Sequence, residues 1–430
     1  MICPESVQSY ASVLTAQKLA EEVEVRGYMP PCQSLDPLSG GGYREEEYEA
    51  MERDEGKYFL YYGSIKAALL ALVSDESFHL SDVMEIAIIG AGRGRLVEFC
   101  VDLCNELKIN FRIVALDANE YAVGVLKERF KEQEHVFIES DPTILYPDVE
   151  YGELPASLSQ NKFHLCVSEL LGSFADNEFC PELQKMFSEL LLKHNIGMQI
   201  PQKWSTFLTP VSCQSAWQFI STTGRSFESC YLMSLLPWPS SEALSDEQEA
   251  WSCEAGNAEH VTCCKINFAI SRDCSLNKKW KASPSTSSKY QGMQGGKHNM
   301  KLLGKRKKIS SSGKTGNPGR SVSVIHGFAG HFVSNLFGKI QADSRPWSEQ
   351  RNTFHWESFF LPLETPITVN DIKHPDSSHQ VTLELKRIYS PSNRALWYEW
   401  QVLASSSSAN TPLSKVHNVD GKCQKWVLSL

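Results

Sequence analysis

The apolar residues change rhythm near residue 200, and that change divides the chain. Before it, helical and extended patterns alternate. Helical spacing runs over 52–73 and ends in Ala67-Ala68-Leu69-Leu70-Ala71-Leu72. Short apolar runs follow at 85–89, 111–116, 136–138 and 164–167, with helical stretches such as 95–107 and 120–131 between them. Strands alternating with helices predict an α/β domain built on a doubly wound parallel sheet over 51–201. Beyond it, segments rich in β-branched and aromatic residues and lacking helical period fill 204–211, 322–337, 359–369, 380–387 and 397–402. These predict a mostly antiparallel β domain over 202–430. Residues 1–50 are polar, with a Pro/Gly-rich stretch at 30–42, and are expected to form an irregular arm. A Ser/Gly/Lys-rich insert at 277–320 lacks the apolar content to pack and reads as disordered. No internal repeat is present.

Composition narrows the class. Hydrophobic residues make up 42% of 430 positions and charged residues 22%, which suits a globular chain. No uninterrupted apolar run approaches the roughly 18–20 residues that cross a bilayer, and Met1-Ile2-Cys3-Pro4-Glu5 does not open a secretory signal. A formal net charge of −9 gives no whole-molecule attraction to nucleic acid or anionic membrane. The 13 cysteines are odd in number, scattered and without a CxxC pair, as expected of reduced thiols in the cytosol or nucleus. Cys100 with Cys104, and Cys263 with Cys264, are read as packing residues, so no metal site is expected. The basic cluster Gly304-Lys305-Arg306-Lys307-Lys308 reads either as a solvated loop or as a nuclear-import or nucleic-acid contact.

Two stretches carry candidate chemistry. The first strand runs into Gly90-Ala91-Gly92-Arg93-Gly94 ahead of a helix, where glycines permit a sharp turn and close approach of a ligand to the main chain. The third glycine comes one position too early for the dinucleotide fingerprint. The second strand ends at Asp117, an acid suited to the ribose hydroxyls of either an adenosine or a dinucleotide. The compact turn resembles S-adenosylmethionine-dependent methyltransferases more than dehydrogenases. The fourth strand opens into Ser168-Glu169-Leu170-Leu171-Gly172-Ser173-Phe174-Ala175-Asp176-Asn177-Glu178, at the end of the sheet where α/β folds bind ligands. Glu169 and Glu178 are placed to share one pocket. Two carboxylates suit a planar guanidinium, whose N–H groups they can grip in bidentate fashion.

The Ser168–Glu178 stretch resembles the double-glutamate loop of protein arginine N-methyltransferases, in the wording of the type II, symmetric-dimethylating family. Lys57-Tyr58, the glycine turn, Ser205-Thr206-Phe207-Leu208-Thr209-Pro210, His326-Gly327-Phe328-Ala329-Gly330, Pro366-Ile367-Thr368-Val369 and Trp397-Tyr398-Glu399-Trp400 agree in order. The resemblance covers about 43–430 apart from the insert. It implies a Rossmann-like methyltransferase domain followed by a β-barrel substrate domain, with S-adenosyl-L-methionine as cofactor. It further implies Glu169 and Glu178 as catalytic residues, and Tyr58, Gly90, Gly92, Asp117, Asp141 and Pro142 on the cofactor. Ala67 falls where the family has a cofactor-side lysine, with Lys66 beside it. Tyr61 falls at an aromatic position tied to product symmetry, and His355 and Trp356 at the arginine channel. The implied products are monomethyl- and symmetric dimethylarginine, on histones and on Arg/Gly-rich or splicing-related proteins in cytoplasm and nucleus. The implied assembly is a homo-oligomer.

Three departures qualify the resemblance. Phe354-His355-Trp356 mixes the family's symmetric and asymmetric signatures. Pro142 removes a backbone N–H beside Asp141. Only about 50 residues precede the catalytic region, too few for the family's N-terminal barrel that recruits a WD-repeat partner. These departures leave a catalytically weakened scaffold subunit as the alternative reading.

Overall fold

The computed structural model describes residues 3–8, 11, 32–34, 43–79, 81–139, 158, 162–190, 192–193, 196–233, 241–256, 261–271, 273–282, 323–348, 352–353, 355–369, 380–404 and 411–427. Asp141, Pro142 and the 304–308 basic cluster lie outside them. The chain does not enter as an irregular arm throughout, because β1 (Cys32–Ser34) joins a sheet of the C-terminal half through main-chain pairing that its polar side chains do not announce. The expected 52–73 helix is α2 (Glu55–Val73), and a further helix, α1 (Glu45–Glu52), precedes it at the end of the expected arm. Asp54 separates them and caps α2, its Oδ1 accepting from Lys57 N at 3.1 Å.

The parallel sheet follows as expected. β2 (Met84–Ile89), α3 (Arg95–Leu107), β3 (Phe111–Leu116), α4 (Glu120–Arg129), β4 (Val136–Glu139), β5 (Leu165–Ser168), α5 (Cys180–Leu190) and β6 (Met198–Ile200) arrange their strands in the order β4-β3-β2-β5-β6. β2 and β5 are apolar and buried along almost their whole length, as strands covered on both faces must be. Register decides where the site falls. Ile89 pairs with Leu116 on one side and Ser168 on the other. Gly90, Asp117 and Glu169 therefore leave the sheet side by side, at its carboxyl edge.

The C-terminal half is antiparallel throughout. β7 (Lys203–Cys213) leads to α6 (Gln214–Thr222), β8 (Tyr231–Met233), β9 (Ser241–Ala243), β10 (Gln248–Glu254) and β11 (Val261–Ala269). After α7 (Ser275–Ala282) come β12 (Val324–Phe337), β13 (Ile340–Asp343), β14 (Ser358–Thr368), β15 (Gln380–Ser390), β16 (Ala395–Ala404), β17 (Thr411–Pro412) and β18 (Trp426–Val427). One sheet runs β1-β8-β14-β12-β7-β10 and the other β11-β15-β16-β17. The described ladders thus form two sheets. The first residues of the insert expected to be disordered, 277–282, are helical, and the rest of it lies outside the described residues. α7 buries Leu276 and Asn277, and Asp246 from the β9–β10 loop accepts from Ser275 Oγ at 2.7 Å and Leu276 N at 2.8 Å. The halves share packing, since Trp204, Phe332, Leu336 and Trp356 belong to the same apolar cluster as Leu69, Ile86 and Ile88.

Candidate active site

The glycine turn is built as its residues require. Gly90, Gly92 and Gly94 adopt φ of 64°, 52° and 97°, the left-handed region that side chains disfavour. A Cβ at Gly90 would lie 2.8 Å from Leu170 Cδ2, and one at Gly94 2.5 Å from Phe130 Cε2. Asp117 braces the turn, its Oδ2 accepting from Gly92 N at 2.7 Å and its Oδ1 from Asn119 N at 2.9 Å. Burial raises the Asp117 carboxyl, and those two N–H groups oppose the rise. From above, α1 is docked on the turn. Arg93 forms a two-pronged ion pair with Glu52, and Asn119 Nδ2 donates to Tyr43 O at 2.7 Å. Tyr48 lies against the turn, so that a Cβ on Gly92 would touch its ring at 3.3 Å.

The glutamate loop crosses from the parallel sheet into the antiparallel half. Gly172 and Ala175 exchange main-chain hydrogen bonds of 3.2 and 2.8 Å, and Asn177 Oδ1 accepts from Phe174 N at 2.8 Å. Gly172 is needed there because a Cβ would sit 2.3 Å from Asn177 Nδ2. Phe174 stacks on Phe359 with ring centroids 4.8 Å apart, which fixes the loop to β14.

Both glutamates end in one electrostatic environment. Glu169 Oε1 is 3.5 Å from Lys57 Nζ, an ion pair without a formed hydrogen bond, and the ammonium is fully buried. Burial alone would lower the Lys57 ammonium, but Glu169, Tyr58 and Asp54 together outweigh it and hold it above the ordinary lysine range. Burial raises the Glu169 carboxyl against the opposing pull of Lys57. Glu178 is pushed up to about 7, by burial first and by the Glu169 charge second. Among the described residues no salt bridge reaches Glu178. Tyr43 also faces the pair. The Glu178 charge, burial and the Glu169 charge together raise its phenol well above the usual range.

Around this centre the structure gathers most of the expected residues. Tyr58 is half-buried, 4.8 Å from Lys57 Nζ and edge-on to Phe99. Trp356 is buried, its ring 5.5 Å from Lys57 Nζ and its Nε1 donating to Leu171 O at 2.7 Å. His355 is held by its main chain, the N–H donating to Asp54 Oδ2 at 2.9 Å. Asp54 thus joins the start of α2 to the segment carrying Trp356. Tyr61 is fully buried, its hydroxyl donating to Ser168 O at 3.0 Å. It lines no open channel, and it supports the strand end from which Glu169 leaves. Ala67 stands about 15 Å beyond Lys57 along α2 at 1.5 Å per residue. Its neighbour Lys66 turns to Glu106, at the end of α3 remote from the glycine turn. Neither residue is brought to the site.

Lys57, Asp54 and Tyr43 were not assigned roles by the sequence. Lys57 carried a signal, since helical spacing puts it on the buried stripe with Leu60, Tyr61 and Ser64. A lysine on an apolar stripe needs a buried counter-charge.

The parallel sheet, its glycine turn and the antiparallel half define a class, that of arginine-methyltransferase folds. The chain resembles a Trypanosoma brucei PRMT1 enzyme–prozyme complex solved with AdoHcy, with a TM-score of 0.55 at 12% identity over 88% of this chain and 97% of that one. It resembles Arabidopsis thaliana protein arginine methyltransferase 10 with a TM-score of 0.53 at 13% identity, over 90% and 98% of the two chains. Sequence comparison narrows the class further. The profile of the PRMT5 arginine-N-methyltransferase matches residues 22–200, and that of the PRMT5 oligomerisation domain matches 297–426. The chain belongs to the PRMT5 arginine-N-methyltransferase family. It is 26% identical over 412 residues to the rice (Oryza sativa) protein arginine N-methyltransferase 5, covering 94% of this chain and 52% of that one. It is 26% identical over 402 residues to skb1 of Schizosaccharomyces pombe, covering 90% and 54%. The chain therefore spans about half the length of the curated relatives it matches.

Proposed function

We propose that this chain transfers methyl groups from S-adenosyl-L-methionine to arginine side chains of proteins, forming monomethyl- and symmetric dimethylarginine. The observation that carries the reading is an imbalance of charge. Glu169 and Glu178 act on one another electrostatically, Lys57 forms its ion pair with the first, and among the described residues no salt bridge reaches the second. A guanidinium between them would relieve their repulsion and satisfy both with fork-like hydrogen bonds.

The residues present fit the cofactor. The positive-φ glycine turn leaves main chain free of side chains, Asp117 suits ribose hydroxyls, and the buried Lys57 Nζ has no hydrogen-bond partner. Gly90, Gly92, Asp117, Tyr58 and Lys57 would hold it, and Asp141 with Pro142 belong to the same reading. When bound it supplies an electrophilic methyl on a sulfonium. The chain's own work is to hold the substrate. Glu169 and Glu178 draw the positive charge toward the two nitrogens they grip, which leaves the third nitrogen richer in electrons. Glu178 then accepts the released proton at a carboxylate oxygen. His355 and Trp356 belong to the substrate channel in this reading, and Tyr61 acts through the Ser168 carbonyl.

The proposed substrates are histones and Arg/Gly-rich proteins of cytoplasm and nucleus. The oligomerisation-domain match supports a homo-oligomer, and a WD-repeat partner is part of the same proposal. Incubation with labelled cofactor and a Gly-Arg-rich peptide tests the activity, and mass spectrometry separates the dimethyl isomers. Absence of labelled arginine from the pure protein rejects the reading.

A pH dependence follows from Glu178. Its carboxyl ionises near 7, whereas arginine stays charged throughout. kcat/KM for the peptide is expected to rise with pH, with its acid limb near 7; a limb near the ordinary carboxylate range removes Glu178 from the reaction. For stability the sign is opposite. A carboxyl raised by folding contributes stability below its unfolded value of 4.5, and this is lost as pH rises through about 7.

A further inference from the structure

We propose that Arg387 is a positioning residue that sets where Glu178 stands opposite Glu169, an assignment that rests on the function proposed above. Arg387 lies on β15 and is fully buried beneath the glutamate loop. Its Nε and Nη2 donate to the main-chain carbonyl of Asp176 at 3.2 and 2.9 Å, and Nε lies 3.3 Å from that residue's Oδ2. Its Nη1 and Nη2 donate to Glu182 Oε1 and Oε2 at 2.7 and 2.8 Å. Asp176 and Glu182 lie on either side of Glu178 in the chain. One planar cation therefore staples the loop just before Glu178 to the first turn of α5 just after it.

Two further observations point the same way. Ala175 and Phe179 adopt φ of 60° and 61°, a left-handed conformation that non-glycine residues keep only where surrounding contacts impose it. These two positions bracket the short segment carrying Glu178, and the staple closes over the same span. The Asp176 carboxylate is held from two other strands as well. Tyr398, which faces Arg387 across the β15–β16 ladder, donates its hydroxyl to Oδ1 at 2.6 Å, and Trp251 Nε1 on β10 donates to Oδ2 at 2.7 Å. A buried cluster of two acids and one base is a poor means of stabilising a fold, because desolvation offsets its attraction. What such a cluster supplies is a unique geometry. Here that geometry belongs to the main chain on which one of the paired carboxylates is mounted.

Arg387→Lys keeps the charge but cannot span both acids. The test is a carbon-13 NMR titration of the Glu178 carboxyl, assigned by its loss in Glu178→Gln, alongside kinetics on a Gly-Arg-rich peptide. In Arg387→Lys the Glu178 midpoint is expected to fall from its position near 7 by about half a pH unit, as the carboxylates move apart. kcat is expected to fall about tenfold or more, from misplacement alone, with cofactor affinity by calorimetry held within about threefold. A midpoint unmoved in the folded variant overturns the proposal, as does a loss confined to cofactor binding. Should wild-type protein transfer no methyl group, the functional reading fails, while the titration still decides the positioning. If Arg387→Lys gives no cooperative melt, Tyr398→Phe, which removes one hydrogen bond from Asp176, is titrated in its place. A smaller fall is expected there, and an unmoved midpoint again overturns the proposal.

Discussion

Replacing Glu178 with Gln is expected to lower methyl transfer about a thousandfold while leaving cofactor affinity within about threefold. The amide keeps the shape of the side chain but loses the charge that faces a guanidinium, and charge-assisted hydrogen bonds of this kind contribute about 1.5–3 kcal/mol. It also loses the group that takes up the proton, which on its own is worth roughly 10²–10⁴-fold. The variant should fold well, because burial of the carboxylate and the nearby Glu169 charge both oppose ionisation at this position. Parallel loss of transfer and of cofactor binding would make Glu178 a structural residue and remove the basis of the functional reading.

Replacing Lys57 with Met should have the second largest effect, through the same electrostatics. Among the described residues the Lys57 ammonium is the cation that holds down the paired carboxylates, lowering both Glu169 and Glu178 against burial. Its removal raises both groups, so the acid limb of kcat/KM should move above 7 and transfer at neutral pH should fall at least tenfold. Glu169 escapes the usual penalty for an unpaired buried charge, about 3–5 kcal/mol, by taking up a proton. The melting temperature should accordingly drop less at acid pH than at alkaline pH. An acid limb that stays in place, measured on folded protein, would show that Lys57 does not act on the pair.

What the sequence revealed was local. The glycine turn, Asp117 and the run from Ser168 to Glu178 each lie in one short stretch, and all three are at strand ends, where alternating apolar runs mark the boundary. The residues that complete the site come from elsewhere. Lys57 meets Glu169, Asp54 meets His355, and Arg387 meets Asp176, each across a long span of chain. Pairings of this kind leave no spacing to read. They do leave a trace in periodicity. On β15 the inward positions are Leu383, Leu385, Arg387 and Tyr389, so an arginine occupies a place in the core-facing alternation. The short Cys32–Ser34 strand gives no such trace, because three residues are too few to show an alternation. Ala67 shows the opposite error, a position matched by resemblance whose helix carries it away from the site.

The apolar cluster that joins Trp204 and Phe332 to Ile86 and Ile88 has a consequence for how the molecule comes apart. Side chains from both halves complete one another's burial, so the two cannot melt in sequence without exposing large aromatic surfaces. The break in chain texture near residue 200 is thus a seam in topology and not in cooperativity. A fragment ending there would retain the Gly90 turn and both glutamates yet leave them without the strands that keep Glu178 in place.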